Sequence, residues 1–163
     1  MIAYLIRHAK THRDSETGRD ADRVLKERGH RQALALAAYL RDAAPMRPGA
    51  LRSSPWRRAV QTSEPIWEAL SLEATIEPRL AGDRSVREML GVIHDGRGLG
   101  AAAIVSHNMV VSRLVDVIVG GAGAGFDHVL RTGEIYAIEL TPGAAPDDLL
   151  GAGRVIETFR HDG

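Results

Sequence analysis

The 163-residue sequence predicts an α/β fold, a three-layer α/β/α sandwich built on a mostly parallel central sheet of about six strands with helices on both faces. Three observations carry that expectation. Short, almost wholly apolar runs recur along the chain, as strands buried on both faces of a parallel sheet require. Segments with apolar residues at helical spacing separate the earlier runs. Three of the runs break off abruptly into Arg, Ser or His.

The elements follow in order. Ile2 to Ile6 is the first strand and stops at Arg7-His8. Thr11 to Asp22 is polar, contains Gly18 and lacks apolar periodicity, so it is expected to be a surface loop over one edge of the sheet. Ala33, Leu34, Leu36, Ala37 and Leu40 mark an amphipathic helix that Ala44-Pro45 and Pro48-Gly49 end. Ala50 to Ser53 is a second strand, and Ser54-Pro55 predicts a helix start, with Ser54 as N-cap and proline at the first helical position. Its apolar face would be Trp56, Ala59, Val60, Ser63, Trp67 and Leu70, kinked at Pro65. Ala74 to Glu77 is a third strand, and Val86, Met89, Leu90 and Ile93 mark a helix capped by Asp83 or Ser85. Ala101 to Val105 is a fourth strand, broken at Ser106-His107-Asn108; the helix of Val110, Val111, Leu114, Val115 and Ile118 follows and closes at Gly120-Gly121. Glu134 to Leu140 and Arg154 to Phe159 alternate as two last strands joined by a Pro-Gly loop.

Composition closes several classes of function. The absence of cysteine excludes a disulfide framework, a thiolate zinc site, an iron–sulfur cluster and a cysteine nucleophile. Lys plus Arg equals Asp plus Glu, 21 each, so overall charge argues for neither a nucleic-acid nor an acidic-membrane partner. Only two of those 21 cations are lysine, which we attribute to genome composition rather than to a basic recognition face. The apolar start is too short for a signal-peptide core, and no run approaches the roughly 20 apolar residues that span a bilayer. A single domain over residues 1–163 in the cytoplasm, a monomer by default, is expected.

Chemistry is expected where strands end, because open α/β sheets bind ligands beyond the carboxyl ends of their strands. Arg7-His8-Ala9-Lys10, Ser53-Ser54-Pro55-Trp56-Arg57-Arg58 and Ser106-His107-Asn108 would meet at one edge. Two imidazoles and two or three guanidiniums gathered there need an anion to balance them, and phosphate suits guanidinium forks best. His8 and His12 are four apart, but they follow a strand and lack a clearly spaced third ligand, so no metal site is expected. The glycines from Gly120 to Gly125 follow a helix and precede no Lys-Ser or Lys-Thr pair, and are read as a linker.

These residues resemble the histidine phosphatase superfamily (phosphoglycerate mutase-like): an apolar strand into Arg7-His8, Ser54-Pro55 through Arg58-Ala59 and Gln61-Thr62, then Ser106-His107. The short length, Asp22-Arg23-Val24-Leu25 with Gly29 and Gln32-Ala33, and the compact stretch between Arg58 and His107 resemble its smallest branch, the SixA-type phosphohistidine phosphatases, which carries no cap domain. Two positions depart from the pattern: Ala9 stands where Gly is common, and Lys26 where Thr or Ser usually follows Leu.

The resemblance implies a phosphatase without metal or cofactor, in which His8 is the nucleophile that forms a transient phosphohistidine. Arg7, Arg58 and a positively charged His107 would hold phosphate oxygens and lower the His8 pKa. The substrate would be protein phosphohistidine or a small phosphorylated metabolite. Arg57 is expected as a solvent-facing neighbour or a substrate-side helper, and Arg23 either reaches the phosphate or the substrate or pairs with Asp20 or Asp22. Asp83, Glu88, Glu16 and Asp22 are the candidate proton donors, among which sequence does not choose. A pocket wall would have to come from Thr11 to Asp22 and Ala81 to Arg87. The alternatives are a phosphate-binding module of the same fold without turnover and a phosphoglycerate-mutase-like phosphotransferase.

Overall fold

The computed structural model describes residues 1–162. Its six strands are β1 (Ile2–Arg7), β2 (Ala50–Ser53), β3 (Ala74–Ile76), β4 (Ala101–Ser106), β5 (Glu134–Leu140) and β6 (Gly153–Arg160). Four helices lie between them: α1 (Glu27–Asp42), α2 (Arg57–Leu70), α3 (Val86–Asp95) and α4 (Asn108–Gly120). All six strands form one sheet in the order β3-β2-β4-β1-β5-β6. The β1–β4, β2–β4 and β2–β3 pairs are parallel, and β5 runs antiparallel to β1 and β6.

Each element has a local cause. Along β1, side chains alternate between two apolar layers: Ile2, Tyr4 and Ile6 pack with α1 and α2, and Ala3 and Leu5 with α3 and α4. This two-sided burial is why the segment is apolar at every position. The two layers make the fold a three-layer α/β/α sandwich, and no inserted cap is present among the described residues. Helix α3 begins with a reciprocal capping box between Ser85 and Glu88, so Ser85 is the cap and Asp83 is not.

Helix α2 starts later than Ser54-Pro55 predicts. Its first helical residue is Arg57, its N-cap is Trp56, and it runs on through Pro65 to Leu70. Ser54 is extended beyond β2 because its amide donates to the Val105 carbonyl at 3.0 Å, prolonging the sheet and delaying the helix. The buried face of α2 is Arg58, Ala59, Thr62, Ser63, Ile66 and Leu70, which puts Arg58 inward. Among the described residues no helix is long and apolar enough to cross a membrane.

Register places the site. Arg7 pairs with Ser106 and Ser53 with Val105, so β1, β2 and β4 end together. The His8 amide donates to the Ser106 carbonyl at 2.9 Å, carrying the pairing one residue further. Helix α1 packs tightly against the chain leaving β1. A β-carbon on Gly29 would lie 2.1 Å from the Lys10 carbonyl oxygen, a backbone atom that cannot swing away. Gly29→Ala is therefore expected to cost about 1–3 kcal/mol, seen as a lower urea midpoint at unchanged slope.

Candidate active site

His8, Arg58 and His107 meet at this edge of the sheet, and Arg7 lines the cavity onto which His8 opens. His8 and His107 are buried, their ring centroids 5.2 Å apart. The His8 tautomer is fixed by its partners: Nδ1–H donates to the Ala9 carbonyl at 2.8 Å, while Nε2 accepts from Arg58 Nε at 3.2 Å. The ring is neutral with its lone pair on Nε2. Burial, helped by the charges of Arg58, Arg7 and Arg23, pushes its pKa down to about 3.

His107 differs from its sequence-based assignment. Burial and the neighbouring His8 and Arg58 push its pKa down to about 2, so in the free site it is neutral and does not carry the expected positive charge. Its Nε2 shares a 2.8 Å hydrogen bond with Ser54 Oγ, and Trp56 packs on the ring at 4.5 Å. Trp56 also lies 4.6 Å from the Arg58 guanidinium. Gly82 permits this packing, since a β-carbon there would come within 2.6 Å of the indole. Trp56 and Ser54 thus join the site, where the sequence suggests a core residue and a helix cap.

Arg58 is a buried cation, only 4% exposed, and its charge is answered by Asp20. Asp20 Oδ2 accepts from Arg58 Nη2 at 2.8 Å, and the Asp20 carbonyl accepts from Nη1. Arg23 donates to the other carboxylate oxygen at 2.8 Å, the pairing with Asp20 that one of its two expected readings gives. The two guanidiniums hold Asp20 below the usual carboxylate range. Its carboxylate occupies the Arg58 fork, and sequence reasoning names it only as a salt-bridge partner. No local pattern separates it from the other acids of the charged loop.

The four acids named from the sequence lie elsewhere. Asp83 is exposed beside Arg84, and Glu88 serves the α3 capping box. Glu16 and Asp22 line a separate groove of about 980 Å³ on the outer side of the loop, together with His12 and Arg57. The cavity that holds His8 measures about 310 Å³ and is walled by Arg7, Thr11, Arg23 and Thr132, joined by Lys10, Arg13 and Lys26. Ala81 to Arg87 contributes no wall to it. Among the described residues no group of three or more His, Asp or Glu could hold a metal ion.

Backbone clamps keep these side chains in place. Thr62 Oγ1 accepts from the Ala9 amide at 3.0 Å, Gln32 Oε1 from Lys10 at 2.9 Å, and Gln61 Oε1 from Leu25 at 2.8 Å. Arg7 Nη1 donates to the Leu130 carbonyl at 2.7 Å, and the Leu130 amide donates to Ser112 Oγ at 3.0 Å. Two buried nitrogens, Arg7 Nε and His107 Nδ1, have no partner among the described residues. A buried guanidinium N–H without an acceptor fits a site shaped for an anionic ligand.

Two outcomes follow. Asp20→Asn removes a competing carboxylate, so inorganic phosphate should bind more tightly, on the order of fivefold by calorimetry. Both histidines stay neutral in the fold but would protonate near pH 6.5 when unfolded. The unfolded chain therefore takes up more protons as pH falls; this contribution to stability is complete above about pH 6.5 and is lost toward pH 3. Urea unfolding at pH 7 and pH 5 should show that loss, and His8→Asn should reduce it.

The pattern of "Histidine phosphatase superfamily (branch 1)" matches residues 3–82. No curated protein sequence matches the chain. Among solved structures, the protein histidine phosphatase SixA complexed with tungstate superimposes with a TM-score of 0.81 at 21% identity, covering 98% of this chain and 97% of that one. The alpha-ribazole phosphatase from Shigella flexneri gives 0.71 at 19% identity, covering 95% of each chain. A mycobacterial glucosyl-3-phosphoglycerate phosphatase gives 0.71 at 16% identity, covering 96% of each. The family's pattern thus runs from β1 through β3, and the chain shares the fold of these phosphatases along nearly its whole length.

Proposed function

We propose that the protein is a phosphatase that passes a phosphoryl group to His8 and then to water, acting on phosphohistidine or a small phosphoester. The observation that carries this reading is the His8 tautomer. Its Nδ1–H is committed to the Ala9 carbonyl, which leaves a neutral Nε2 lone pair beside the Arg58 guanidinium. A nucleophile needs that lone pair, whereas a module that only binds phosphate needs the arginines alone. The oxyanion tungstate in SixA supports an anion seat in this fold.

In the first step Nε2 attacks phosphorus in line with the leaving group. The N–P bond forms as the P–O or P–N bond to the leaving group breaks, and the electron pair departs with that group. Arg58 releases Asp20 and, with Arg7 and His107, turns to the non-bridging oxygens, where their charge and hydrogen bonds lower the barrier. A bound dianion also favours protonation of His107, reversing the effect of burial. The Ala9 carbonyl steadies the Nδ1–H as positive charge develops on the ring. In the second step water attacks phosphorus, the N–P bond breaks, and inorganic phosphate leaves His8 neutral again. Asp20 is held ionised while it pairs with both Arg23 and Arg58, so it becomes available to the leaving group only once substrate has drawn Arg58 away.

His8→Ala should lower phosphate release from a phosphohistidine-bearing carrier protein and from an aryl phosphate by at least about a thousandfold, with EDTA leaving the wild-type rate unchanged. Radiolabelled substrate should trap an acid-labile phosphoenzyme in the wild type and none in the variant. Turnover retained by His8→Ala would overturn the covalent route.

A further inference from the structure

Both lysines of the chain, Lys10 and Lys26, line the cavity that holds His8, in a sequence where every other Lys or Arg position is arginine. Arg13 lines it too. Five of the eight residues around the cavity are Lys or Arg and none is acidic. Arg7 is tied to the Leu130 carbonyl, and Arg23 to the His12 carbonyl, the Thr11 hydroxyl and the Asp20 carboxylate. The side chains of Lys10, Arg13 and Lys26 make no hydrogen bond or ion pair among the described residues. By contrast, exposed Arg31, Arg41 and Arg154 each pair with an acid.

The roots of the two lysines are fixed while their tips are free. The Lys26 amide donates to the Lys10 carbonyl at 2.9 Å, and the Lys10 amide is held by Gln32. The acids of the same loop do not pair with them: Asp20 is shared by Arg23 and Arg58, Asp22 pairs with Arg19, and Asp14 and Glu16 line the outer groove, which Arg13 and Lys26 also border, without an ion pair to either. Cations gathered on one small cavity repel one another, and an anion between them relieves that repulsion.

We propose that Lys10, Lys26 and Arg13 form a second anion subsite beside His8, and that the substrate is a small phosphorylated molecule bearing a second anionic group, phosphate or carboxylate, a few bonds from the scissile phosphoryl. A cavity of about 310 Å³ suits a ligand of that size. Flexible ammonium groups accept either anion without the planar match that a guanidinium fork imposes. The inference rests on the phosphatase reading only for the seat at His8.

The test compares binding of methylphosphonate, methylenediphosphonate and the longer propylenediphosphonate at low salt by calorimetry. One of the two diphosphonates should bind at least about tenfold more tightly than methylphosphonate. That gain should fall below about twofold in Lys10→Gln/Lys26→Gln, return in Lys10→Arg/Lys26→Arg, and shrink as salt is raised. Equal affinity for all three probes in the wild type, or a gain that survives the glutamine substitutions in a variant with unchanged circular dichroism, overturns the subsite. Turnover of phosphoglycerate against glycerol phosphate then separates a carboxylate partner from a phosphate one. A phosphohistidine-bearing protein hydrolysed faster than every doubly anionic small molecule overturns the substrate class. Diphosphonate binding without turnover of any phosphoester would count against the phosphatase reading and leave the subsite standing.

Discussion

A guanidinium buried to 4% exposure beside two uncharged imidazoles is the constraint from which the rest of the site follows. A cation held out of water requires a counter-charge, and the Arg58 fork has one in Asp20. That requirement brings the polar loop after β1 back over the sheet edge, where Arg23 ties it again through the same carboxylate. The buried charge also disfavours protonation of both rings, which are better ligands and nucleophiles when neutral. One side chain therefore sets the loop path and the preference for an anionic ligand, and adds to the burial that keeps both histidines uncharged.

The strands were legible in the sequence because a sheet covered on both faces excludes polar residues from its interior strands, and the six apolar or alternating runs match the six observed strands. The convergence of three strand ends was equally legible, since parallel pairing leaves little freedom in which edge they share. Less was readable where a residue has two competing roles. Ser54 carries the signature of a helix cap, yet continued pairing with β4 draws its amide into the sheet and frees its hydroxyl for His107. Trp56 fits an apolar helix face by spacing but precedes the helix and packs on the site. Asp20 resembles any acid in a charged loop, and only the burial of Arg58, a three-dimensional fact, distinguishes it. The charge of His107 depends on desolvation, which no local pattern encodes.

Several residues that the family resemblance singles out act on backbone rather than on ligand. Gln32, Gln61 and Thr62 each accept an amide from the segment between Ala9 and Leu25, and Gly29 leaves room for the Lys10 carbonyl. This explains how a long polar loop with one short helical turn, Asp20–Asp22, holds a defined course. The loop is stitched to α1 and α2 by side chains that reach its main chain, and its own side chains remain available to line the two cavities on either side.

Arg7 depends on a different support. Its guanidinium is anchored to the Leu130 carbonyl, in a stretch between α4 and β5 that contains several glycines, exposes Phe126 and Val129, and is gathered by the buried Asp116 through the amides of Asp127 and His128. Segments with little apolar burial open before the core does. The proposed anion seat therefore draws on two regions of different make-up, the sheet edge that carries His8 and His107 and a glycine-bearing stretch pinned to the core by buried Leu130. Opening of that stretch on heating would free Arg7 while the sheet is still intact, so loss of anion binding and melting would run on separate clocks.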